Sequence, residues 1–362
     1  MFPSSFNHRR VRGSVIILVL VTILLVAFLL TKFVQRAGTE LLADARAGDQ
    51  ARLRQEAYSA LEATLAVLAD FRANEQGLHS PAQGWDQPLE DAGYTPPPGL
   101  TVTVGLEDES GKISLPRADA ATLEVLLEIL GLSRSEAERV ADALLVWTRA
   151  EHVANSPETD AGKYERAAWP HHPARRPLRS FAELAAVAYA RDFFFDDSGQ
   201  PTPLAREFEA NVSLYSFDRM NLNAATPVGL AVGGLDTRQI DALQGYLRGS
   251  GAGGRPKYFR TVAEAGVVLG PVSLQAFGAE TAALRITVTV RGGATVYRLG
   301  AVVAPSGGAT LAMPDVTQEQ NQPGEETSAL VIKKLDYPFK VLEIRENLES
   351  TPAPAVESSA HD

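Results

Sequence analysis

The sequence contains no cysteine. That absence excludes a disulfide framework, a thiolate zinc site and a cysteine nucleophile together, while leaving the compartment open. Basic residues are also in deficit: 34 Lys and Arg stand against 44 Asp and Glu, for a net charge of -10. That balance argues against a broad phosphate-binding surface, because nucleic-acid affinity is built by neutralising phosphates. The usual catalytic signatures are missing too, with no H-E-x-x-H, no G-x-S-x-G and no Walker A pattern. Gly249-x-Gly251-x-x-Gly254 matches a dinucleotide fingerprint in letters only, since a helical stretch precedes it and Arg255-Pro256 follows. His171-His172 lies between prolines with no zinc-ligand spacing around it, and Trp85, Trp147 and Trp169 read as core or loop anchors. Only one long apolar run occurs, so the chain is not a polytopic membrane protein. What is present is the balance of an ordinary folded chain, 45% hydrophobic and 22% charged over 362 residues. That length suits two domains, or one domain with a large insertion.

The apolar run is at the N-terminus. Residues 1–13 carry Arg9, Arg10 and Arg12 and no acid, and Ser14 to Phe33 then supplies 20 mostly apolar residues. About 20 residues span a bilayer core in helical form. Three readings are open: a single-span anchor, a cleaved secretory signal, and a leader of the type IV pilin kind, cut between Gly13 and Ser14. The secretory reading fits least, because no small-residue cleavage site ends the run. Glycine at the junction leaves the backbone accessible to a membrane-bound peptidase. In each reading the basic end stays in the cytoplasm and the body lies on the other side. The helical pattern continues past the membrane: Leu53, Ala57, Leu61, Leu65 and Leu68 form one stripe, Arg52 and Glu56 can pair across a turn, and Gly77 is the expected stop.

The middle of the chain repeats itself. Residues 111–147 and 218–247 each open on a short apolar-polar-Leu unit, continue as a helix, turn at Gly-Leu (Gly131-Leu132 and Gly234-Leu235), and start a second helix. Ser133 with Glu136, and Asp236 with Gln239, are spaced as capping boxes. Further starts at Ser180–Glu183 and Thr261–Glu264 share the same S/T-x-x-E spacing. Strand patterns flank the repeat at Leu100–Val104, and at Leu284–Arg291 and Ala294–Val303 around Gly292-Gly293. Residues 329–333 and 339–345 are expected to add strands by the same pattern. The order gives an α+β body with an α-helical insert.

Five passages carry a family resemblance: the RGSVIILVL leader, VTVGLEDESGKISL (102–115), GLSRSEAERVADALLVW (131–147), RSFAELAAV and MNLNAATPVGL. In this order they resemble general secretion pathway protein K, a minor pseudopilin of type II secretion systems. The resemblance implies a pilin-like fold: a long N-terminal helix packed on an antiparallel β-meander, interrupted by a large inserted helical domain with two helix-hairpin-helix (SAM-like) modules. The implied divisions are a cleaved leader (1–13), the transmembrane (14–33) and extramembrane (34–77) parts of the helix, a linker and first strand (78–106), helical modules at 107–215 and 216–280, a C-terminal β-region (281–349) and a disordered tail (350–362). It implies cleavage by prepilin peptidase at Gly13-Ser14, a place at the pseudopilus tip, and an inner-membrane location with a periplasmic body. Its partners would be other minor pseudopilins, membrane lipid and secreted cargo, with no nucleic acid and no catalysis. Leu18 falls at mature position five, where most pilin-like subunits carry Glu and the K subunit does not. Calcium binding is implied near the Trp147 loop, for which Glu151, Glu158, Asp160 and Glu165 are the candidate ligands. Arg149 and Lys163 intervene, and a solvated loop is the other reading there. A membrane-anchored helix-hairpin-helix DNA receptor is the alternative function.

Overall fold

From Gly13 to Glu75 the chain is one helix of 63 residues, α1. No proline interrupts it, and the first proline beyond it is Pro81. The structure, a computed structural model, describes residues 13–166, 170–249, 254–293, 295–311 and 338–347. The expected strand at 329–333 and the tail at 350–362 lie outside these residues. The helix ends one residue earlier than expected: Gln76, not Gly77, takes the left-handed conformation with φ 59°. Arg72 in the last turn donates to the carbonyls of Pro338 (3.0 Å) and Ser306 (3.2 Å).

A loop containing the short α2 (Pro88–Asp91) leads into β1 (Leu100–Asp108). The chain then passes through β2 (Ile113–Ser114), α3 (Ala120–Ile129), α4 (Arg134–Thr148), α5 (Gly162–Glu165), α6 (Arg191–Phe194) and α7 (Pro203–Asn211). The short strands β3 (Val212–Ser213), β4 (Tyr215–Ser216) and β5 (Met220–Asn221) follow, then α8 (Pro227–Val232), α9 (Thr237–Leu247), α10 (Val262–Leu269) and β6 (Phe277–Gly278). The last elements are β7 (Leu284–Gly292), β8 (Thr295–Pro305), β9 (Thr310–Leu311) and β10 (Phe339–Glu346).

Four strands form one antiparallel sheet in the order β1-β7-β8-β10. Strand β1 alternates as its sequence does, so Leu100, Val102, Val104 and Leu106 share the face toward α1. The β7–β8 hairpin pairs Gly292 with Thr295, so Gly292 is the last ladder residue and the turn begins one position later than the Gly292-Gly293 pair suggested. Gly293 has φ 58°, which glycine adopts without steric cost. A bulge between Val341 and Glu343 kinks β10.

Two large cores result, and a smaller apolar cluster, in which Tyr215 and Phe217 meet Val302, Ala304 and Leu342, lies between the helical region and the sheet. One large core lies between α1 and the sheet: Leu53, Ala57, Ala60, Leu61 and Leu68 meet Ile286, Val288, Val290, Leu299 and Ala301. Leu65 of the predicted stripe is only partly buried at its edge. The other core is built from residues 113–277, with Leu126, Val140, Leu144, Phe194, Phe208, Leu222 and Leu243 among its buried members. The predicted Arg52–Glu56 pair does not form. Arg52 instead donates to the carbonyl of Pro98 (3.4 Å), and Glu56 accepts from the Tyr94 hydroxyl.

The two helix-turn-helix units turn in the same way. In the first, Gly131 N–H donates to Glu128 and Leu132 N–H to Leu127; in the second, Gly234 donates to Ala231 and Leu235 to Leu230. Both glycines have positive φ, 103° and 94°. These are helix C-caps of the Schellman kind, with the leucine closing the apolar contact. The next helices start on caps as the spacing predicts. The Glu136 carboxylate accepts from the Ser133 amide (3.0 Å) and hydroxyl (2.6 Å), while Gln239 and Asp236 exchange hydrogen bonds of 2.8 and 3.0 Å. The later starts differ. Glu183 and Glu264 reach the amides of Arg179 (2.9 Å) and Arg260 (3.0 Å), one residue before the cap.

Candidate functional site

Among the described residues, the first part of α1 has no buried side chain. Ile16–Glu40 is a 25-residue stretch of mean hydropathy 2.8, none of it buried. Leu18 is 69% exposed and Leu24 61%. Its hydroxyls are satisfied inside the helix: Thr22 donates to the carbonyl of Leu18, and Thr31 to that of Ala27 (2.8 Å). From Ile16 to Thr31 the helix satisfies its hydroxyls internally and its other side chains are apolar and exposed, which suits hydrocarbon surroundings. At its far end Arg36 and Glu40 pair across one turn (2.9 Å), marking the return to water. Gly13 and Ser14 are the first residues of the helix, and residues 1–12 lie outside the described part.

Where α1 enters the head, a clasp joins it to the last strand. Arg54 donates from Nη2 (2.7 Å) and Nε (2.9 Å) to Glu346, and the Tyr58 hydroxyl donates to the same carboxylate (2.8 Å). The Arg54 guanidinium also lies over the Tyr58 ring, 5.1 Å from its centroid. Hydrogen bonds from Arg54 and then Tyr58 hold the Glu346 carboxyl down at about 2. The same pairing raises Arg54 above its ordinary value.

The D-x-S-G-K and N-L-N passages meet in one polar junction between the two cores. Asp108 Oδ1 accepts from the Ser110 amide (2.8 Å), and its Oδ2 accepts from Asn221 Nδ2 (2.7 Å) and the Thr281 hydroxyl (2.8 Å). Burial pushes the Asp108 carboxyl up, and these hydrogen bonds pull against it without cancelling the effect. Glu109, 2% exposed, pairs with Arg285 (2.6 Å) and Lys112 (3.3 Å). Burial pushes its carboxyl up, but the two cations together bring it below the ordinary value. Asn223 accepts from the Phe259 amide (2.7 Å) and donates to the carbonyls of Phe259 and Ala279 (both 2.9 Å). Gly111 packs so closely on Ala224 that a Cβ there would overlap its carbonyl. These motif residues are architectural: they fasten the helical region to the sheet.

The four candidate calcium ligands are dispersed. Glu151 and Asp160 are exposed. Glu158 pairs with Arg139 (3.0 Å), and Glu165 lies 3.6 Å from His172 Nδ1. Among the described residues no three His, Asp or Glu side chains come together as a metal site requires. The centre of this loop is a residue that sequence reading passed over. Asp142 of α4, 4% exposed, accepts from His152 Nε2 (2.7 Å) and Asn155 Nδ2 (3.1 Å) at one oxygen, and from the Asn155 amide (3.0 Å) and the Thr159 hydroxyl at the other. An acidic residue inside an apolar helix stripe was the available signal.

Residues 105–192 match the family model for type II secretion system (T2SS), protein K. No curated protein matches the chain. Among solved structures, a chain of the GspK-GspI-GspJ complex from the enterotoxigenic Escherichia coli type 2 secretion system shares the fold. The TM-score is 0.55 at 14% identity, over 84% of this chain and 100% of that one. A domain resembling protein K of the type II secretion system thus occupies residues 105–192 of a chain that shares the fold of that solved structure.

Proposed function

We propose that this chain is a minor pseudopilin of a type II secretion system, cut by prepilin peptidase after Gly13 and placed at the pseudopilus tip, where it nucleates assembly. The single observation that carries this is α1 itself: one uninterrupted helix whose first half is apolar and fully exposed and whose second half is the packing face of its own head. Such a helix leaves an apolar rod to be covered by lipid before assembly and by neighbouring helices after it. The protein K domain match adds the system. The basic residues Arg9, Arg10 and Arg12 favour a cytoplasmic N-terminus, a single span in the inner membrane and a periplasmic head.

Leu18 supports the tip position. A carboxylate within the bilayer is costly unless paired. A subunit with nothing above it has no use for a glutamate that pairs with the next subunit's amine. Partners would be other minor pseudopilins, of the kind joined in the GspK-GspI-GspJ complex. The two helix-turn-helix units would form an inserted domain of helix-hairpin-helix modules devoted to protein contacts.

The test is the mature N-terminus. Mass spectrometry of the membrane-extracted protein should find a chain beginning at Ser14, and Gly13→Leu should leave the precursor uncut. A wild-type protein that retains residues 1–13 in cells with active prepilin peptidase would overturn the reading.

A further inference from the structure

The loop after α4 is the part of the head where resemblance implies a bound cation, and the residues there do not fit one. Calcium takes six to eight oxygens, several of them carboxylate. Here Glu158 is committed to Arg139 (3.0 Å), which itself stacks 5.3 Å from the Tyr189 ring centroid. Glu165 faces His172, and Glu151 and Asp160 point to solvent separately. The one buried carboxylate, Asp142, has two N–H or O–H donors on each oxygen, which saturates its acceptor capacity. Its neighbours are donors, the opposite of what a cation needs.

The loop is nevertheless fastened at three points. Its start is tied through His152 and Asn155, and its middle through Thr159 (1% exposed) and the Arg139–Glu158 pair. At its end, Tyr164 of α5 is buried against Trp147, with ring centroids 5.4 Å apart, and its hydroxyl accepts from the Ala188 amide (3.0 Å). The donors of this loop, the Asn155 amide and the side chains of His152, Asn155 and Thr159, already converge on the Asp142 carboxylate. We propose that Asp142 is the organising centre of residues 149–160, a buried carboxylate clasp standing where a cation would stand, so that the loop folds and stays folded without calcium.

Thermal melting and limited trypsin digestion of the full chain in detergent, with calcium or with the chelator EGTA, test this. Arg149 and Lys163 bracket the clasp and are the cleavage sites to follow. Wild-type protein should melt at the same temperature, and be cut at the same rate, in calcium and in EGTA. Asp142→Asn replaces an acceptor with an NH₂ facing other donors. It should lower Tm by several degrees and speed cleavage at these two sites about tenfold, in both conditions. Thr159→Val removes one donor, is expected to fold even if Asp142→Asn does not, and should show the same pattern in weaker form. A calcium-dependent rise in the wild-type Tm, calcium protection of the wild-type loop, or variants that behave as wild type would each overturn the proposal.

Discussion

Gly111 shows how little room a single residue can have. The position is buried, and a methyl group added to it would run into the backbone carbonyl of Ala224, which cannot swing aside as a side chain could. Gly111→Ala should therefore destabilise the head by about 1–3 kcal/mol, read as a lower urea midpoint with an unchanged slope. Gly131 is the contrast: its φ of 103° needs glycine, yet open space surrounds its Cβ direction. Glu346 gives a residue-scale prediction about pH. Its carboxyl sits at about 2 when folded, below the ordinary 4.5. A depressed value means that the clasp contributes in full above pH 4.5 and is lost as pH falls toward 2. The stability difference between wild type and Glu346→Gln should accordingly shrink between pH 6 and pH 2. Because Arg54 is 55% exposed, added salt should shrink it as well. A difference that stays constant across this range would remove the ion pair from the account.

At the scale of the element, α1 is two helices in one. Leu68 is fully buried against the sheet, whereas Leu24 is 61% exposed on the rod. Leu68→Ala should cost about 2–5 kcal/mol of head stability, while Leu24→Ala should leave the melting of the head unchanged. Equal effects from the two changes would mean that the rod packs on the head. The stripe Leu53-Ala57-Leu61-Leu68 was legible in the sequence because helical periodicity is a local property. The end of the helix was legible only to within one residue, since Gln76 takes the left-handed turn that glycine was expected to supply. The capping residues Ser133 and Asp236 were likewise readable, each being defined by a partner three residues away. The failed Arg52–Glu56 pair marks the limit. Spacing permits that contact, but Tyr94 and Pro98 arrive from elsewhere in the chain and take both side chains.

For the whole molecule, the helical region meets the sheet through the polar junction around Asp108, Asn221 and Thr281 and through the apolar contacts of Tyr215 and Phe217 with Val302, Ala304 and Leu342. In the polar junction, Asn221 stands 113 positions from Asp108 and 60 from Thr281 in the chain. Asn221→Ala would leave the Asp108 carboxylate without one of its donors, buried between the helical region and the sheet. It should loosen the two parts relative to each other before either unfolds, seen as faster hydrogen exchange at β2 and β5 with little change in β7 and β8. Uniform protection throughout would show that the junction is not the weak point.

The sequence by itself determined the apolar rod, the amphipathic stripe that continues it, the paired helix turns, the hairpin of β7 and β8, and the absence of catalytic signatures. Each is a matter of residue type and spacing within a few turns or one hairpin. Tertiary structure alone decided which carboxylates are bound and by what: Glu346 by Arg54, Asp108 by Asn221, Asp142 by the loop that follows it, and the four candidate calcium ligands by nothing in common. The physical reason is that a buried or paired charge answers to whichever donors the fold brings within about 3 Å. Neighbours separated by tens or hundreds of residues are set by topology and not by any local period.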